Sequence, residues 1–207
     1  MRDSGWVQRI LQGDKTAGER FVTAHYPRIF RLLRCLTGSV EAAEDLSQQT
    51  FVKAWQALGT FRNQSLLVTW LHRIAYHEYT HWLRAQREHA SLDAARDVPD
   101  PHPVQEWETL MLPRALSQLS DGHREAFLLY HVQELSVAEV ANVLNLPEGT
   151  VKSRLFAARQ KLRALLQEPL AEEAMEAPLT RETPDVPAGP KEVVHELSAS
   201  QPPRRAR

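Results

Sequence analysis

The polar side chains between Glu148 and Arg159 are the part of this chain best suited to contacts with a nucleic acid. Cationic side chains bind phosphate oxygens, and hydroxyl, carboxylate and guanidinium groups read base edges in a major groove. After Glu148 no acidic residue follows until Glu168, so this stretch is locally basic. The predicted DNA-contacting residues are Ser136, Glu148, Thr150, Lys152, Ser153, Arg154 and Arg159.

A helix-turn-helix pattern over residues 135–163 would position these side chains. Ser136 can cap a short helix, and Glu139 in its first turn suits a capping box. Asn145 tolerates the left-handed conformation of a tight turn, and Pro147 fits the start of a second helix. In this motif the N-terminal residues of the second helix reach bases and phosphates. Two helices joined by a turn also occur in cores that never touch DNA, so the pattern alone leaves both interpretations open.

The charge of this 207-residue chain is nearly balanced, with 25 Lys and Arg against 26 Asp and Glu. It is unevenly distributed: residues 1–90 contain twelve basic and eight acidic residues, and residues 114–167 contain seven and five. Residues 91–113 and 168–207 are acidic. Because local patches rather than net charge attract phosphates, we expect two mildly basic modules that bind free duplex DNA weakly.

Cysteine content and hydropathy limit the cellular setting. The single cysteine, Cys35, allows no intrachain disulfide, which is typical of a reducing cytoplasm, and its apolar neighbours favour a small core residue. No apolar run approaches the ~18 residues of a membrane span, and the N-terminus lacks a signal-peptide pattern. The sequence therefore predicts a cytoplasmic protein without membrane insertion.

Helical periodicity predicts an all-α fold of two small helical domains, a flexible linker and a disordered C-terminal tail. The predicted domains are 1–90 and 114–167, joined by an acidic linker at 91–113 and followed by the tail at 168–207. An extended linker of ~20 residues could span roughly 60 Å and hold two DNA-reading modules apart. Pro27 should kink or split its helix. The predicted helices are 4–12, 16–37, 40–58, 66–88, 108–118, 121–133, 136–144 and 148–167, with a further short one conceivable at 191–197.

Residues 40–58 form an amphipathic helix with an inward apolar stripe and a polar opposite side. The stripe contains Ala43, Leu46, Thr50, Ala54 and Leu58. Taken alone, the polar side would be a solvated helix face. Its members are Asp45, Gln48, Gln49 and Lys53.

Residues 61–87 mix aromatic rings with cations, a composition that suits unpaired bases because rings stack on bases and cations hold phosphates. About half of the aromatics would instead belong to a core. His77 and His81 have the spacing of a zinc pair, but no further ligands accompany them, so we expect no metal or cofactor and place them with His72 toward solvent or phosphate. The candidate residues are Asn63, Gln64, Ser65, Trp70, Arg73, His77, His81, Arg84 and Arg87.

Three segments in this order resemble a bacterial sigma factor of the extracytoplasmic-function type, in the sigma-70 family. AEDLSQQTFVKAW (43–55) is similar to the region 2 helix that docks on the polymerase clamp helices. FRNQSLLVTWLHRIA (61–75) resembles the segment that melts and captures the promoter −10 element. LPEGTVKSRLFAAR (146–159) resembles the region 4 helix that reads the −35 element.

The resemblance implies a non-enzymatic subunit that directs transcription initiation. Its implied partners are core RNA polymerase, through the clamp helices and the flap, promoter DNA and an anti-sigma factor, with no small-molecule substrate. The clamp would be bound by Asp45, Gln48, Gln49 and Lys53. The −10 element would be bound by the candidate residues given above for 61–87, and the −35 element by those given for 136–159. The chain departs from the family pattern at Val68, Tyr76, His77 and His81, which bear on −10 preference, and at Gln49 in the docking helix.

Two other function classes fit parts of the sequence. A free-standing helix-turn-helix regulator would use residues 1–90 to dimerise or bind an effector, and it would recognise an operator without polymerase. A metal-dependent hydrolase would need the histidines as ligands, yet no phosphate-binding glycine loop, complete metal ligand set or nucleophile motif is present in the sequence. The sequence therefore favours the sigma factor.

Overall fold

The computed structural model describes residues 3–62, 65–93 and 111–167, and these ranges contain eight α-helices and no strand. The predicted all-α fold is confirmed. The helices are α1 (Asp3–Leu11), α2 (Lys15–Thr37), α3 (Val40–Ala57), α4 (Leu67–Asp93), α5 (Met111–Ser117), α6 (Asp121–Phe127), α7 (Val137–Leu144) and α8 (Glu148–Gln167). Of the predicted linker at 91–113, residues 91–93 belong to the last turn of α4 and 111–113 to the first turn of α5, so both helices extend into the predicted linker. Residues 94–110, the tail from 168 and the short helix predicted at 191–197 lie outside the described residues.

Helices α1–α4 form the N-terminal module, and local caps define where they start. The Asp14 carboxylate accepts from the Ala17 amide at the start of α2, and Ser39 does the same for Ala42 at the start of α3. Gly38 ends α2 in the left-handed conformation at φ 73°. Pro27 does not split α2, which continues from Lys15 to Thr37, so of the two predicted effects, a kink or a split, the split is wrong. Burial of the aromatic side chains beside it holds the helix together although one backbone donor is missing.

The core of the N-terminal module is built on the predicted stripe of α3. Ala43, Leu46 and Ala54 are buried against α2 and α4, and Phe51 packs 5.9 Å from Tyr26 between ring centroids. Gly18 lets α2 approach α3 closely, because an added Cβ would lie 2.9 Å from the Trp55 ring. Cys35 is only partly buried and packs at the edge of the hydrophobic core.

Helices α5–α8 form the C-terminal module, which contains the predicted helix-turn-helix. The capping box at Ser136 and Glu139 is complete, with both the backbone and side-chain hydrogen bonds formed. Asn145 adopts the left-handed conformation at φ 53° between α7 and α8. Val151 is fully buried and holds α8 against the rest of the module. The local signals that predicted the motif are therefore the ones that shape it.

One predicted helix differs from expectation. Residues 121–133 do not form a continuous α-helix, because α6 ends at Phe127 and a π-helical turn covers Leu128–Val132. The wider turn, closed by the Gln133 amide on the Leu128 carbonyl at 3.0 Å, is followed by Glu134 at φ 54°. This changes the direction of the chain and places the Gln133 side chain fully inside the protein.

The two modules pack against each other rather than standing apart. Helix α4 contacts α7, and α2 contacts the π-helical turn. The buried apolar side chains of both modules belong to one continuous cluster. The structure therefore shows a closed arrangement, whereas the linker length alone had suggested two modules held at a distance.

Candidate nucleic-acid interface

The exposed N-terminal half of α8 carries the side chains predicted to contact duplex DNA. The opposite face, formed by Val151, Leu155 and Ala158, is buried and fixes the orientation of the helix. Thr150 and Arg154 are half-buried, at the border between the two faces. The exposed members of the predicted set are Glu148, Lys152, Ser153 and Arg159 on α8, with Ser136 at the start of α7.

Apart from Ser136, which is held in the capping box, these side chains have only weak local partners. Lys152 lies 4.0 Å from Glu148, and the Ser153 hydroxyl donates to the Thr150 carbonyl at 2.9 Å. Arg159 donates to Nε2 of His131 at 3.3 Å. Exposed pairs of this kind contribute little free energy, so they are easily exchanged for phosphate or base contacts.

Arg154 differs from its neighbours because it is directed toward the other helices of the protein. A Cβ added at Gly122 would lie 2.9 Å from the guanidinium carbon, so the absence of a side chain there makes room for Arg154. Its charge favours the ionised form of Glu125, although burial has the larger effect and raises the pKa of that carboxyl. Arg154, a predicted DNA contact, therefore lies near the buried Glu125 carboxyl in the closed arrangement.

A cavity of about 200 Å³ lies where α4 begins. Ser65 and Trp70 line it, and the Trp70 ring packs 5.3 Å from the Phe61 ring between centroids. Asn142 of α7 lines the same cavity from the C-terminal module. Asn63 and Gln64, the two predicted −10 residues that come directly before Ser65 in sequence, lie outside the described residues.

The outer face of α4, defined as Arg73, His77, His81 and Arg84, is exposed along its length. The spacing of three or four residues places these side chains in one row. Arg87 continues the row but donates to Asp121 of the C-terminal module at 2.8 Å. The structure therefore brings most of the predicted −10 residues of α4 onto one surface of arginines and histidines.

The inner face of α4, defined as Thr69, His72 and Tyr76, meets the C-terminal module. Thr69 donates to Glu139 at 2.6 Å, and the Tyr76 hydroxyl donates to Glu125 at 3.0 Å. Placing His72 toward solvent or phosphate was wrong, because it is 1% exposed. Its neighbours in sequence gave no sign of this, since the face is filled only by side chains distant along the chain.

Gln133 joins three helical segments at this boundary. Its side-chain oxygen accepts from Nε of Arg28 at 3.2 Å and lies 3.1 Å from Nε2 of His72. Nδ1 of His72 lies 2.7 Å from the Val68 carbonyl, which fixes a proton on that nitrogen. Burial lowers the pKa of His72, and the Arg28 charge acts in the same direction. The sequence analysis missed Gln133, whose role depends on the π-helical turn.

The predicted polymerase-binding side of α3 is accessible. Asp45 and Gln49 are exposed, and Gln48 is half-buried. Lys53 lies 2.7 Å from Glu78 of α4, whose side chain is only 4% exposed. The four residues thus lie on one side of α3, with Lys53 also neutralising a buried carboxylate of the same module.

The described part of the chain contains neither a cluster of metal ligands nor a long apolar helix. No three His, Cys, Asp or Glu side chains there converge as metal ligands would. His77 lies near Glu78, at 3.4 Å, rather than forming such a group with His81. None of the described helices combines the length and apolar character needed to cross a bilayer.

Two protein-family models match the chain in order. Residues 21–89 match sigma-70 region 2, and residues 109–162 match sigma-70 region 4. The chain is 31% identical over 189 residues to the RNA polymerase sigma-H factor of Pseudomonas aeruginosa, covering 84% of this chain and 97% of that protein. It is 32% identical over 166 residues to the ECF RNA polymerase sigma factor SigM of Mycobacterium tuberculosis, covering 79% and 84%.

Solved structures with similar folds include two proteins bound to other chains. The sigma factor RpoE of Bartonella quintana, in complex with the anti-sigma factor NepR, matches with a TM-score of 0.63 at 26% identity, over 72% of this chain and 96% of RpoE. CnrH, in complex with the cytosolic domain of CnrY, matches with a TM-score of 0.63 at 27% identity, over 79% of this chain and 96% of CnrH. Both matches extend over more of the chain than either module contains.

Proposed function

Since this chain belongs to the sigma-70 family and is a sigma factor of the extracytoplasmic-function type, we propose that it divides promoter recognition between its two modules. The observation that carries this proposal is the match of both sigma regions in order along one chain. A helix-turn-helix alone would serve a free-standing regulator equally well. The N-terminal match is not expected of such a regulator, so that alternative is not favoured.

The C-terminal module reads the −35 element through the N-terminal half of α8. Exposed Glu148, Lys152 and Ser153 would lie in the major groove, and half-buried Thr150 and Arg154 would complete the contact when DNA is bound. Ser136 and Arg159 would hold the flanking phosphates. A good base contact contributes ~1–3 kcal/mol of discrimination, so a few such side chains are enough to define a short element.

The N-terminal module captures the −10 element. Ser65 and Trp70 line a cavity at the start of α4, with Asn63 and Gln64 preceding them in sequence. Moving a base out of the duplex costs a few kcal/mol. This cost must be offset by hydrogen bonds in the pocket and by polymerase binding. The cationic row that continues along α4 would hold the single-stranded backbone. Its members are Arg73, His77, His81, Arg84 and Arg87.

The polar side of α3 docks on the polymerase clamp helices. Asp45, Gln48, Gln49 and Lys53 form a mixed-charge surface that suits specific pairing more than broad phosphate attraction. The C-terminal module would contact the flap. Because the polymerase supplies most of the non-specific attraction to DNA, the modest basicity of this chain is sufficient.

An anti-sigma factor is the proposed regulator. The relatives RpoE and CnrH were solved with bound partners, and their matches cover 72% and 79% of this chain. The proposed location is the cytoplasm, where polymerase acts. Sigma factors are non-catalytic, which supports a non-enzymatic role for this chain.

Promoter-specific run-off transcription with core polymerase tests the proposal. Adding the protein should produce discrete transcripts from a genomic promoter pool, and Lys152→Ala should reduce them about tenfold by removing a −35 contact. Gln160→Ala is the matched control, because Gln160 is also exposed on α8 but lies outside the predicted contact set. A wild-type protein that yields no promoter-dependent transcript would refute the proposed function.

A further inference from the structure

Glu78 of α4 is a buried carboxylate at the boundary between α3 and α4, and it belongs to none of the proposed contact sets. Its side chain is only 4% exposed, although His77, the residue before it, is exposed. A carboxylate is costly to bury unless an opposite charge compensates it. The position of Glu78 in the fold therefore requires a cationic partner.

Lys53 of α3 is that partner, and it holds both carboxylate oxygens. Its Nζ lies 2.8 Å from Oε1 and 2.7 Å from Oε2 of Glu78. A protonated lysine has three N–H donors, so the two oxygens can occupy two of them and leave the third for an acceptor outside the module. The Lys53 side chain is 54% exposed, so this third donor is accessible to another protein.

His77 is a weaker neighbour of the same carboxylate. Its Nδ1 lies 3.4 Å from Oε1 of Glu78, which is longer than either contact with Lys53. The exposed ring belongs to the outer face of α4 and is not fixed by burial. Lys53 is therefore the main charge partner of Glu78.

The pair lies at the end of the proposed polymerase-docking row of α3. Asp45, Gln49 and Lys53 are spaced by four residues, so they form one row along the helix. Asp45 and Gln49 are exposed, and Lys53 is the member of the row that a buried group of another helix holds in place.

A lysine held at its tip binds a partner differently from a free lysine. Ordering a free lysine at an interface costs rotamer entropy, and a side chain that is already ordered avoids most of that cost. The paired charges also compensate each other. Lys53 therefore presents a directed N–H donor more than an unpaired positive charge.

We propose that Glu78 is a positioning residue for polymerase docking, which holds the Lys53 ammonium so that one N–H is directed to an oxygen acceptor on the clamp helices. This inference rests on the proposed docking of the polar side of α3. It involves α4, the helix assigned to the −10 element, in polymerase binding through a residue that contacts neither polymerase nor DNA. It also gives a reason for a buried charged pair where apolar packing would be at least as stable.

A double-mutant cycle in core-polymerase affinity tests the proposal with the full-length protein. Glu78→Gln keeps the shape of the side chain and one acceptor oxygen but removes the charge that holds Lys53. Lys53→Met keeps an unbranched apolar stem and removes the donors. Glu125→Gln is the matched control, because Glu125 is also a buried carboxyl but contacts Tyr76 and not Lys53.

Glu78→Gln should weaken polymerase binding about 2- to 10-fold, because Lys53 must then be ordered during binding. Lys53→Met should weaken it at least as much. Adding Glu78→Gln to Lys53→Met should cause no further loss, since Glu78 acts through Lys53. Losses that add in the double variant, or an equal loss in Glu125→Gln, would show a general effect on the fold and overturn the proposal.

Thermal unfolding separates positioning from a purely structural role. Lys53→Met leaves the Glu78 carboxylate buried without its cation, so Tm should fall, and Glu78→Gln in that background should raise Tm again. Polymerase affinity should stay low in the double variant, because the Lys53 donor is still missing. Recovery of affinity together with Tm would assign the pair to stability alone and overturn the proposal.

The proposed sigma-factor function can fail separately from this inference. If the wild type binds polymerase and directs promoter-specific transcription while Lys53→Met binds equally well, Lys53 is not a docking contact, and only the positioning role of Glu78 is overturned. If the wild type neither binds polymerase nor yields a promoter-dependent transcript, the sigma-factor function fails, and the inference fails with it.

Discussion

The inner and outer faces of α4 differ in what they contact, although both are polar. The inner face is closed against the C-terminal module through Thr69, His72 and Tyr76. The outer face presents its cations to solvent. Five positions apart on one helix, His72 is buried and His77 is exposed. The difference shows that a single helix can serve a nucleic acid on one side and hold the protein closed on the other.

Removing cations from the outer face should have the largest effect on function. We expect the double change Arg73→Ala and Arg84→Ala to reduce open-promoter formation by about 100-fold or more, because charge-assisted hydrogen bonds contribute ~1.5–3 kcal/mol each. Permanganate reactivity of the −10 region and run-off transcription measure the loss. Polymerase affinity should stay unchanged, since both residues lie away from the polar side of α3.

The matched control for that change is Arg20→Ala together with Arg31→Ala, which removes two exposed cations of α2 outside the proposed DNA surface. An equal loss of open promoters in both double variants would mean that general positive charge, rather than the outer face of α4, attracts the DNA. Such a result would remove the functional distinction between the two faces.

We name the polar contacts between the modules the intermodule clasp: Thr69, His72 and Tyr76 of α4 and Arg28 of α2 meet Glu125, Gln133 and Glu139. Removing the Gln133 side-chain amide should open the modules without harming the outer face of α4. Gln133→Leu removes the side-chain oxygen that accepts from Nε of half-buried Arg28, which costs ~1–3 kcal/mol and lowers the closed-to-open ratio by about 5- to 100-fold. Energy transfer between dyes on Thr60→Cys and Asn142→Cys, in the Cys35→Ala background, reports the separation.

Gln160→Leu is the control for the Gln133 change, because it makes the same substitution at an exposed position of α8. Far-ultraviolet circular dichroism should show equal helix content in both variants. If energy transfer is unchanged in Gln133→Leu while the fold is intact, the clasp does not determine closure, and apolar packing alone must hold the modules together.

Local features of the fold were predictable from the sequence, and the clasp was not. Ser136, Glu139 and Asn145 act within their own turn, so their cap and left-handed conformation follow from residue type. The clasp joins residues 49 to 105 positions apart, as in Tyr76 with Glu125 and Arg28 with Gln133. Such pairs depend on how the modules pack, which periodicity does not encode.

The two faces of α4 illustrate the same limit. Cations and aromatic rings interleaved along residues 61–87 identified a surface suited to unpaired bases, and most of its charged members lie together on the outer face. The pattern gave no reason to separate His72 from His77 and His81. The different burial of His72 depends on the π-helical turn, which directs Gln133 inward. No residue pattern in the sequence predicted that turn.

Acidification should weaken closure through the inner face. Burial lowers the pKa of His72 below its ordinary value near ~6.5, and the Arg28 charge from α2 adds to this, while the Val68 and Gln133 hydrogen bonds and the Glu139 charge from α7 act in the opposite direction. The open form therefore binds the proton more tightly. The stabilisation is complete above the ordinary pKa and is lost as pH falls through the lowered one.

Glu125 acts in the opposite direction at lower pH, because burial raises its pKa and its protonation would favour closure. Energy transfer should therefore fall as the pH drops below about 6.5, until the Glu125 contribution opposes it. His72→Gln removes the titrating ring and should flatten the profile in that window. A profile identical in the wild type and His72→Gln would rule out His72 as the origin of the pH response.

The smallest effect is expected from Thr69→Val, which removes one hydroxyl from the inner face at nearly constant volume. Its bond to Glu139 should contribute ~0.5–1.5 kcal/mol to closure, since the carboxylate keeps its capping bonds to Ser136 and the loss concerns a single contact. A double-mutant cycle with Glu139→Gln, read by energy transfer, isolates that contribution. Coupling close to zero would mean that Glu139 serves α7 alone and that the inner face is held by His72 and Tyr76. Coupling of the expected size would show that the Glu139 carboxylate has two roles: it caps the start of α7 and it binds α4 through Thr69. The inner face of α4 would then be linked to the helix-turn-helix through this one side chain.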